Sequence, residues 1–288
     1  MRVRRPGGEV GEAHPVFRDH HVHLGLIDPS GLAEHGIGAV LDLGWSPDIM
    51  ALEAPVSVAF AGCFLATPGG YPTGRPWAPH ASVHPVASPG HASEAVATQV
   101  GRGAAVIKVT LNRDEGPVLD LATLSAIAEA AGEAPVVCHA QGAGMVELAI
   151  AGGVAALAHT PWTHRLDDAV IAECVEAGMR WISTLDIHGY GQSSPDQQRA
   201  VDNLGRFHAA GGTVLYGTDL GNGPLPVGLN PRELGLLADA GLTEADILTA
   251  LTGDWPVPRP DDLVTFVPDQ GGFAAATVVR RDLLEDLA

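Results

Sequence analysis

Val16-Phe-Arg-Asp-His-His-Val-His-Leu24 is the stretch on which the reading of the fold turns. Its apolar ends mark a β-strand, and between them stand an aspartate and three histidines. Residues two apart in a strand share a face, so His21 and His23 project together. An apolar pair is easier to bury, because a buried polar group costs free energy unless it finds a partner. The pair therefore calls for partners elsewhere in the chain.

Working outward, seven more short apolar runs follow, at 37–43, 56–65, 104–111, 135–140, 154–160, 180–185 and 213–219. They are rich in Val, Ile, Leu and Ala with little polar alternation, as strands buried on both faces of a parallel sheet are. Helical patterns lie between them, at 92–102, 119–132, 144–152, 166–178, 195–211, 231–240 and 243–251. Several stop at glycine, a common helix terminator. Thr243 followed by Asp246 resembles a capping box with aspartate in the usual glutamate place. Eight strands alternating with helices predict an α/β fold, a (β/α)8 TIM barrel. The competitor is an open doubly wound sheet, but no Gly-x-Gly-x-x-Gly fingerprint follows the first strand. The segment 67–90 is rich in Gly, Pro and His and follows the third strand. A long insertion on that face is expected to form a lid or substrate wall. The expected organisation is an N-terminal extension at 1–15, the barrel at 16–255, and a tail at 256–288 packing on the barrel. Residues 261–288 suggest a few short strands and a last helix, too little for a second domain.

The chain has 288 residues, 46% of them hydrophobic, enough for a sizeable core. Its formal charge is −18, from 34 acidic and 16 basic residues, so it repels phosphate backbones and anionic membranes. Nucleic acid is excluded as an expected partner. A small-molecule substrate is expected, and a homo-oligomer is left open. No uninterrupted run of about 20 apolar residues marks a membrane span, and no apolar run follows the charged N-terminus as a secretory signal. Cys63, Cys138 and Cys174 are odd in number and set in apolar strings, as free thiols of a reducing compartment would be. A cytoplasmic protein is the expectation.

Polar residues recur at the ends of the apolar runs. Lys108 lies in the fourth, His139 ends the fifth, His159 the sixth, and Asp219 the eighth. With His21 and His23 they could converge on one axis. Neutral imidazole and carboxylate are donors that zinc and similar divalent ions accept. A lysine inside an apolar strand needs either an ion pair or carbamylation by CO2, which turns the amine into an anion with two oxygens. Each piece alone is common; the ordered combination is the signal.

These residues resemble the amidohydrolase superfamily of metal-dependent hydrolases. Asp19-His20-His21-Val22-His23 is similar to its opening motif, and Ile107-Lys108-Val109 to the lysine strand of its two-metal members. Val137-Cys138-His139-Ala140, Ala158-His159-Thr160 and Gly217-Thr218-Asp219 resemble its later histidine and aspartate strands. The run 233–252 is similar to the last helices of the imidazolonepropionase and Xaa-Pro dipeptidase-like branch. The resemblance covers roughly 17–252. Two departures stand out. The chain ends are short for the family's β-sandwich, which implies a reduced or vestigial one. Gln141 replaces the glutamate that related deaminases use to shuttle protons, which turns the expectation away from deamination.

The resemblance implies that His21, His23 and Asp219 bind one divalent metal, zinc being the expected ion, and that His139 and His159 bind a second, with carbamylated Lys108 bridging them. An unmodified Lys108 with one metal is the variant form. Asp219 would take a proton from the attacking water and hand it to the leaving group. Asp19 and Thr218 would orient ligands, or merely cap strand ends. His20 points the other way and is expected to be structural. His188 is the loop histidine best placed for substrate, ahead of His80, His84 and His91. Tyr71, Trp77, Trp162 and Trp45 could wall a pocket or pack under loops, and Arg75 or Arg165 could hold a substrate carboxylate. The expected activity is hydrolysis of a C–N bond in a small amide, cyclic amide or N-acyl amino acid or dipeptide. A lactonase or phosphotriesterase, and a metal-binding relative without catalysis, are the alternatives.

Overall fold

A computed structural model describes residues 1–256 and 260–287. The chain opens with β1 (Arg2–Arg4), β2 (Val10–Pro15), β3 (Phe17–Val22), β4 (Ile37–Asp42), β5 (Ser57–Phe60), β6 (Phe64–Ala66) and β7 (Val83–Pro85). Helices then alternate with strands: α1 (Pro89–Gly101), β8 (Ile107–Asn112), α2 (Leu121–Ala131), β9 (Val136–Gln141), α3 (Met145–Ala151) and β10 (Ala156–Leu157). The alternation continues through α4 (Asp168–Glu176), β11 (Arg180–Ile182), α5 (Pro195–Ala209), β12 (Thr213–Leu215), α6 (Pro231–Asp239) and α7 (Glu244–Thr252). Three strands finish it: β13 (Leu263–Pro268), β14 (Thr277–Arg280) and β15 (Glu285–Asp286).

The fold is mixed α/β. Seven strands form one parallel sheet in the order β12-β11-β10-β9-β8-β6-β7, and β3-β4-β5 form a second parallel sheet. Backbone bonds join their margins. Ala105 donates to Phe60 O at 2.8 Å, and Asp219 donates to His21 O at 2.8 Å. Val22 and Leu220 form a parallel bridge. Strands β3, β4 and β8 are buried along their whole length, so the polar residues of β3 and β8, Lys108 among them, face the protein interior and not solvent.

The helices cover this sheet with their apolar faces. On α2, Leu124, Ile127 and Ala131 are buried, and Gly132 ends the helix at φ 58°. Asp120 starts it by accepting from Thr123 N at 2.7 Å. Thr243 and Asp246 form the reciprocal capping box expected of α7. Trp181 of β11 stacks on Phe207 of α5, ring centres 4.0 Å apart, and fixes that helix on the sheet.

Three expectations are corrected. The run 56–65 is not one strand. It breaks at Gly62, at φ 76°, because the Gln99 carboxamide fills the break and accepts from Cys63 N at 3.0 Å. A Cβ at Gly62 would stand 2.4 Å from that oxygen. Residues 281–287 form no α-helix. A single 3-10 turn, Arg281–Leu283, leads into β15, whose pairing with β1 takes the backbone bonds a helix would have used. Strands also arise where none was read at the N-terminus: β1 and β2 join β13, β14 and β15 in one antiparallel sheet, order β14-β13-β2-β1-β15. The chain ends thus share a five-stranded sheet, held at its rim by ion pairs Arg4–Glu285 and Arg2–Asp269. Part of the expected tail, 257–259, lies outside the described residues. Among the described residues no helix is long and apolar enough to cross a membrane.

Candidate metal centre

The C-terminal end of β3 is shaped by one buried carboxylate. Asp19 accepts from His21 N and from Thr218 N, both at 3.0 Å, and from the Thr218 hydroxyl. It ties the His21–His23 turn to the segment that carries Asp219. Burial pushes its carboxyl up to about 7, against the pull of those hydrogen bonds. His20, on the opposite face, hydrogen-bonds Tyr216 O at 2.8 Å and stands 3.2 Å from Gly253 O, out of the site.

His21 and His23 have defined tautomers. His21 Nδ1 lies 2.8 Å from Ala158 O and His23 Nδ1 lies 2.9 Å from Gly44 O. A carbonyl only accepts, so each Nδ1 carries hydrogen and each neutral ring offers a lone pair at Nε2. Those two Nε2 atoms are 3.3 Å apart, and each lies 3.2 Å from Asp219 Oδ1. Asp219 Oδ1 is buried with no hydrogen-bond partner, while Oδ2 is held by Asn222 Nδ2 at 2.9 Å. Three acceptors therefore face one point. Such a cluster repels itself unless a proton or a cation sits among the three.

The surrounding charges describe the same conflict. Burial drives the His21 ring well below its ordinary range. Burial also lowers His23, but the bond to Asp219 and its charge outweigh this, and the net direction is upward. Burial alone would raise Asp219, yet His21, His23 and His159 hold it well below the usual carboxylate range. A proton on His23 is one resolution; a divalent ion is the other, and it uses all three atoms. His21, His159 and Asp219 place ligand atoms within 4.8 Å of one another. Imidazole nitrogen and carboxylate oxygen suit zinc or a similar divalent ion, so the donor set fits a metal.

His159 and His139 complete the histidine group. The His159 ring centre is 4.6 Å from that of His21 and 4.9 Å from that of His139. Thr184 Oγ1 contacts His159 Nδ1 at 3.0 Å, so Nε2 is the ring atom left for a ligand. Thr184 holds this contact at φ 44°, a left-handed backbone that a β-branched residue rarely adopts. His139 Nε2 lies 3.2 Å from Gln141 Oε1, which also accepts from Asn112 Nδ2 at 2.9 Å. Gln141 thus orients His139 and leaves its Nδ1 free. Lys108, in the middle of β8, is 2% exposed and opens on the cavity. Burial pulls its amine down to about 8, against the attraction of Asp219. Among the described residues it forms no salt bridge, so the ion-pair explanation of this lysine finds no partner.

These groups line the base of a cavity of about 390 Å3. Tyr71 stacks on His139 at 5.1 Å, its backbone carbonyl held by the Thr110 hydroxyl. Trp77 packs against Phe64 at 6.1 Å and Tyr71 at 6.2 Å. The inserted segment thus supplies two wall residues. Trp162 faces His159 at 5.5 Å and stacks on His188 at 4.7 Å. Of the four aromatics expected to wall a pocket, Tyr71, Trp77 and Trp162 line the cavity and Trp45 does not; His188, the loop histidine expected near substrate, also lines it. Trp45 stands behind Trp77, and His80, His84 and His91 lie outside the lining. Arg75 and Arg165 also lie outside it, paired with Glu115 and Asp202.

Sequence reasoning missed Thr184, Asn222, Thr110 and Ile187. Asn222 had a weak signal, three residues past Asp219 in a Gly-Asn-Gly turn. Thr184 had none, because its role depends on a backbone conformation.

No protein-family model matches the chain, and no curated protein matches it. Solved structures do. A Xaa-Pro dipeptidase with methionine bound in its active site superposes with a TM-score of 0.70 at 18% identity, over 96% of this chain and 87% of that one. An amidohydrolase gives 0.69 at 18% identity, over 89% and 80%. Ochratoxinase of A. niger gives 0.64 at 19% identity, over 83% and 70%. At such identities the likeness concerns the fold. The chain carries the fold of the amidohydrolase superfamily, the family that its histidine, lysine and aspartate motifs resemble.

Proposed function

We propose that this chain is a metal-dependent hydrolase of a C–N bond in a small amide, cyclic amide or N-acyl amino acid or dipeptide. The single observation behind this reading is the meeting of His21 Nε2, His23 Nε2 and Asp219 Oδ1 at 3.2 to 3.3 Å, three acceptors when both rings are neutral. The fold-level neighbours described as prolidase from Bifidobacterium longum and as molinate hydrolase favour the same reaction class. We also infer that the two parallel sheets close into one (β/α)8 barrel spanning 16–255, the chain ends packing outside it. The three thiols, all free and buried, are in keeping with a cytoplasmic setting.

His21, His23 and Asp219 would hold one ion, and His139 and His159 a second, with Lys108 as a carbamate between them. When bound, such ions polarise the substrate carbonyl and make the attacking water acidic. Asp219 Oδ1 accepts the proton of that water and returns it to the leaving nitrogen. Asn222 keeps the carboxylate in place through Oδ2, and Asp19 keeps the β3 end and Thr218 in register. Tyr71, Trp77 and Trp162 enclose the substrate and exclude bulk water.

The test is a panel of dipeptides, N-acyl amino acids, cyclic amides and lactones against zinc-loaded and chelated protein, with intact mass in mild buffer. Amide turnover that chelation abolishes, and about 44 Da added at Lys108, are expected. Preference for lactones would replace the reading by a lactonase. Bound metal without any turnover would leave a non-catalytic relative.

A further inference from the structure

The upper cavity wall differs in character from its base. Leu26, Phe64, Trp77, Trp162 and Ile187 make it apolar and aromatic. Leu26 keeps 40% and Tyr190 37% of its surface exposed, among the few large apolar side chains that do. Leu26 belongs to the cavity lining, and Tyr190 packs on Gly223, itself a lining residue, where a Cβ would lie 2.6 Å from the Tyr190 ring. A wet apolar rim above a half-enclosed aromatic wall suits a flat, apolar group.

The charges around the wall are already committed. Arg75 pairs with Glu115, Arg165 with Asp202 and Arg232 with Asp186, while Arg199 donates to Trp162 O and pairs with Asp196. None of these four lines the cavity. Among the described lining residues, Lys108 is the sole cation apart from the histidines, and it sits at the base beside the reacting groups. On the wall, the polar group without a partner is His188 Nε2, buried, its ring stacked on the face of Trp162 at 4.7 Å. Burial drives this imidazole down to about 4, so it meets a ligand uncharged, as one hydrogen-bonding group. The net charge of −18 further opposes the entry of anions.

We propose that the site takes an uncharged aryl amide, its ring between Trp77 and Trp162 and a polar atom on His188, and rejects substrates that carry a carboxylate at the ring end. This rests on the hydrolase reading for turnover, but not for binding. A carboxylate seated on this wall would be desolvated without a counter-charge.

The experiment compares 4-methylacetanilide with 4-acetamidobenzoate on the zinc-loaded full chain, by kcat/KM and by quenching of tryptophan fluorescence. The neutral compound is expected to bind and to react at least about 100-fold better. Ile187→Arg, which adds a cation to the wall, is expected to bring the two within about tenfold of each other. Equal binding of both compounds, stronger binding of the benzoate, or binding of neither overturns the proposal. Selective binding of the neutral amide without hydrolysis of either supports it while removing the hydrolase reading.

Discussion

Replacing Asp219 by asparagine separates a cation site from an ordinary cluster of ion pairs. Asp219 Oδ2 already accepts from Asn222 Nδ2 at 2.9 Å, so the asparagine carbonyl fits that side. The amide nitrogen then falls where Oδ1 stands, 3.2 Å from His21 Nε2 and 3.2 Å from His23 Nε2. Its two hydrogens point at two lone pairs. In the metal-free protein, at a pH high enough that both rings are neutral, Asp219→Asn replaces a three-way repulsion by two neutral hydrogen bonds of about 1 kcal/mol each. A chain of 288 residues unfolds with an entropy of about 0.6 kcal/mol/K. The gain of about 2 kcal/mol therefore raises the melting temperature by about 3 °C, read by calorimetry in chelator. Turnover falls at least about 100-fold, because the proton carrier is gone. Metal is still taken up by the remaining histidines. A chelated variant that melts at or below the wild type would mean that the rings are protonated and ion-paired with Asp219, and that no cation is needed.

Other substitutions test the supports of the site. Thr184→Val removes the partner of His159 Nδ1 and is expected to weaken zinc binding about 10- to 100-fold, whereas Thr184→Ser retains it; equal affinities in zinc titrations of both variants would show that the hydroxyl does not orient the ring. Trp181→Ala empties a fully buried site stacked on Phe207 and is expected to cost about 3 to 5 kcal/mol in urea unfolding, with zinc stoichiometry unchanged; a loss below 1 kcal/mol would refute the packing argument. His20 is held down to about 4 by burial, so the unfolded chain binds a proton that the folded chain refuses between pH 6.5 and about 4. The stability His20 contributes is present above pH 6.5 and is lost as the pH falls through that window, about 3 kcal/mol in all. His20→Gln is expected to flatten the acid limb of the stability curve by one proton, and an unchanged slope would place the charge elsewhere.

What could be read from the residues was whatever depends on local spacing. His21 and His23 share a face because a strand repeats every two residues, and Lys108 stands out because its neighbours are apolar. Helix limits followed from glycines and from the Thr243–Asp246 cap. The rest depends on contacts between distant segments. Nothing near Arg2 announces that β1 will pair with β15, some 280 residues away, and so the tail was expected to end as a helix. The break between β5 and β6 is set by Gln99, a residue of α1. Thr184 earns its place at His159 through a left-handed backbone that its sequence neighbours do not encode.

Zinc titration of the purified, chelator-treated protein, followed by calorimetry, reaches the point on which the whole assignment stands. Wild-type protein is expected to take up at least one ion per chain and release protons on binding, and the double variant His21→Ala, His23→Ala is expected to lose the tightest site. A folded wild-type protein that takes up no divalent ion, or a double variant that binds as tightly, would contradict it.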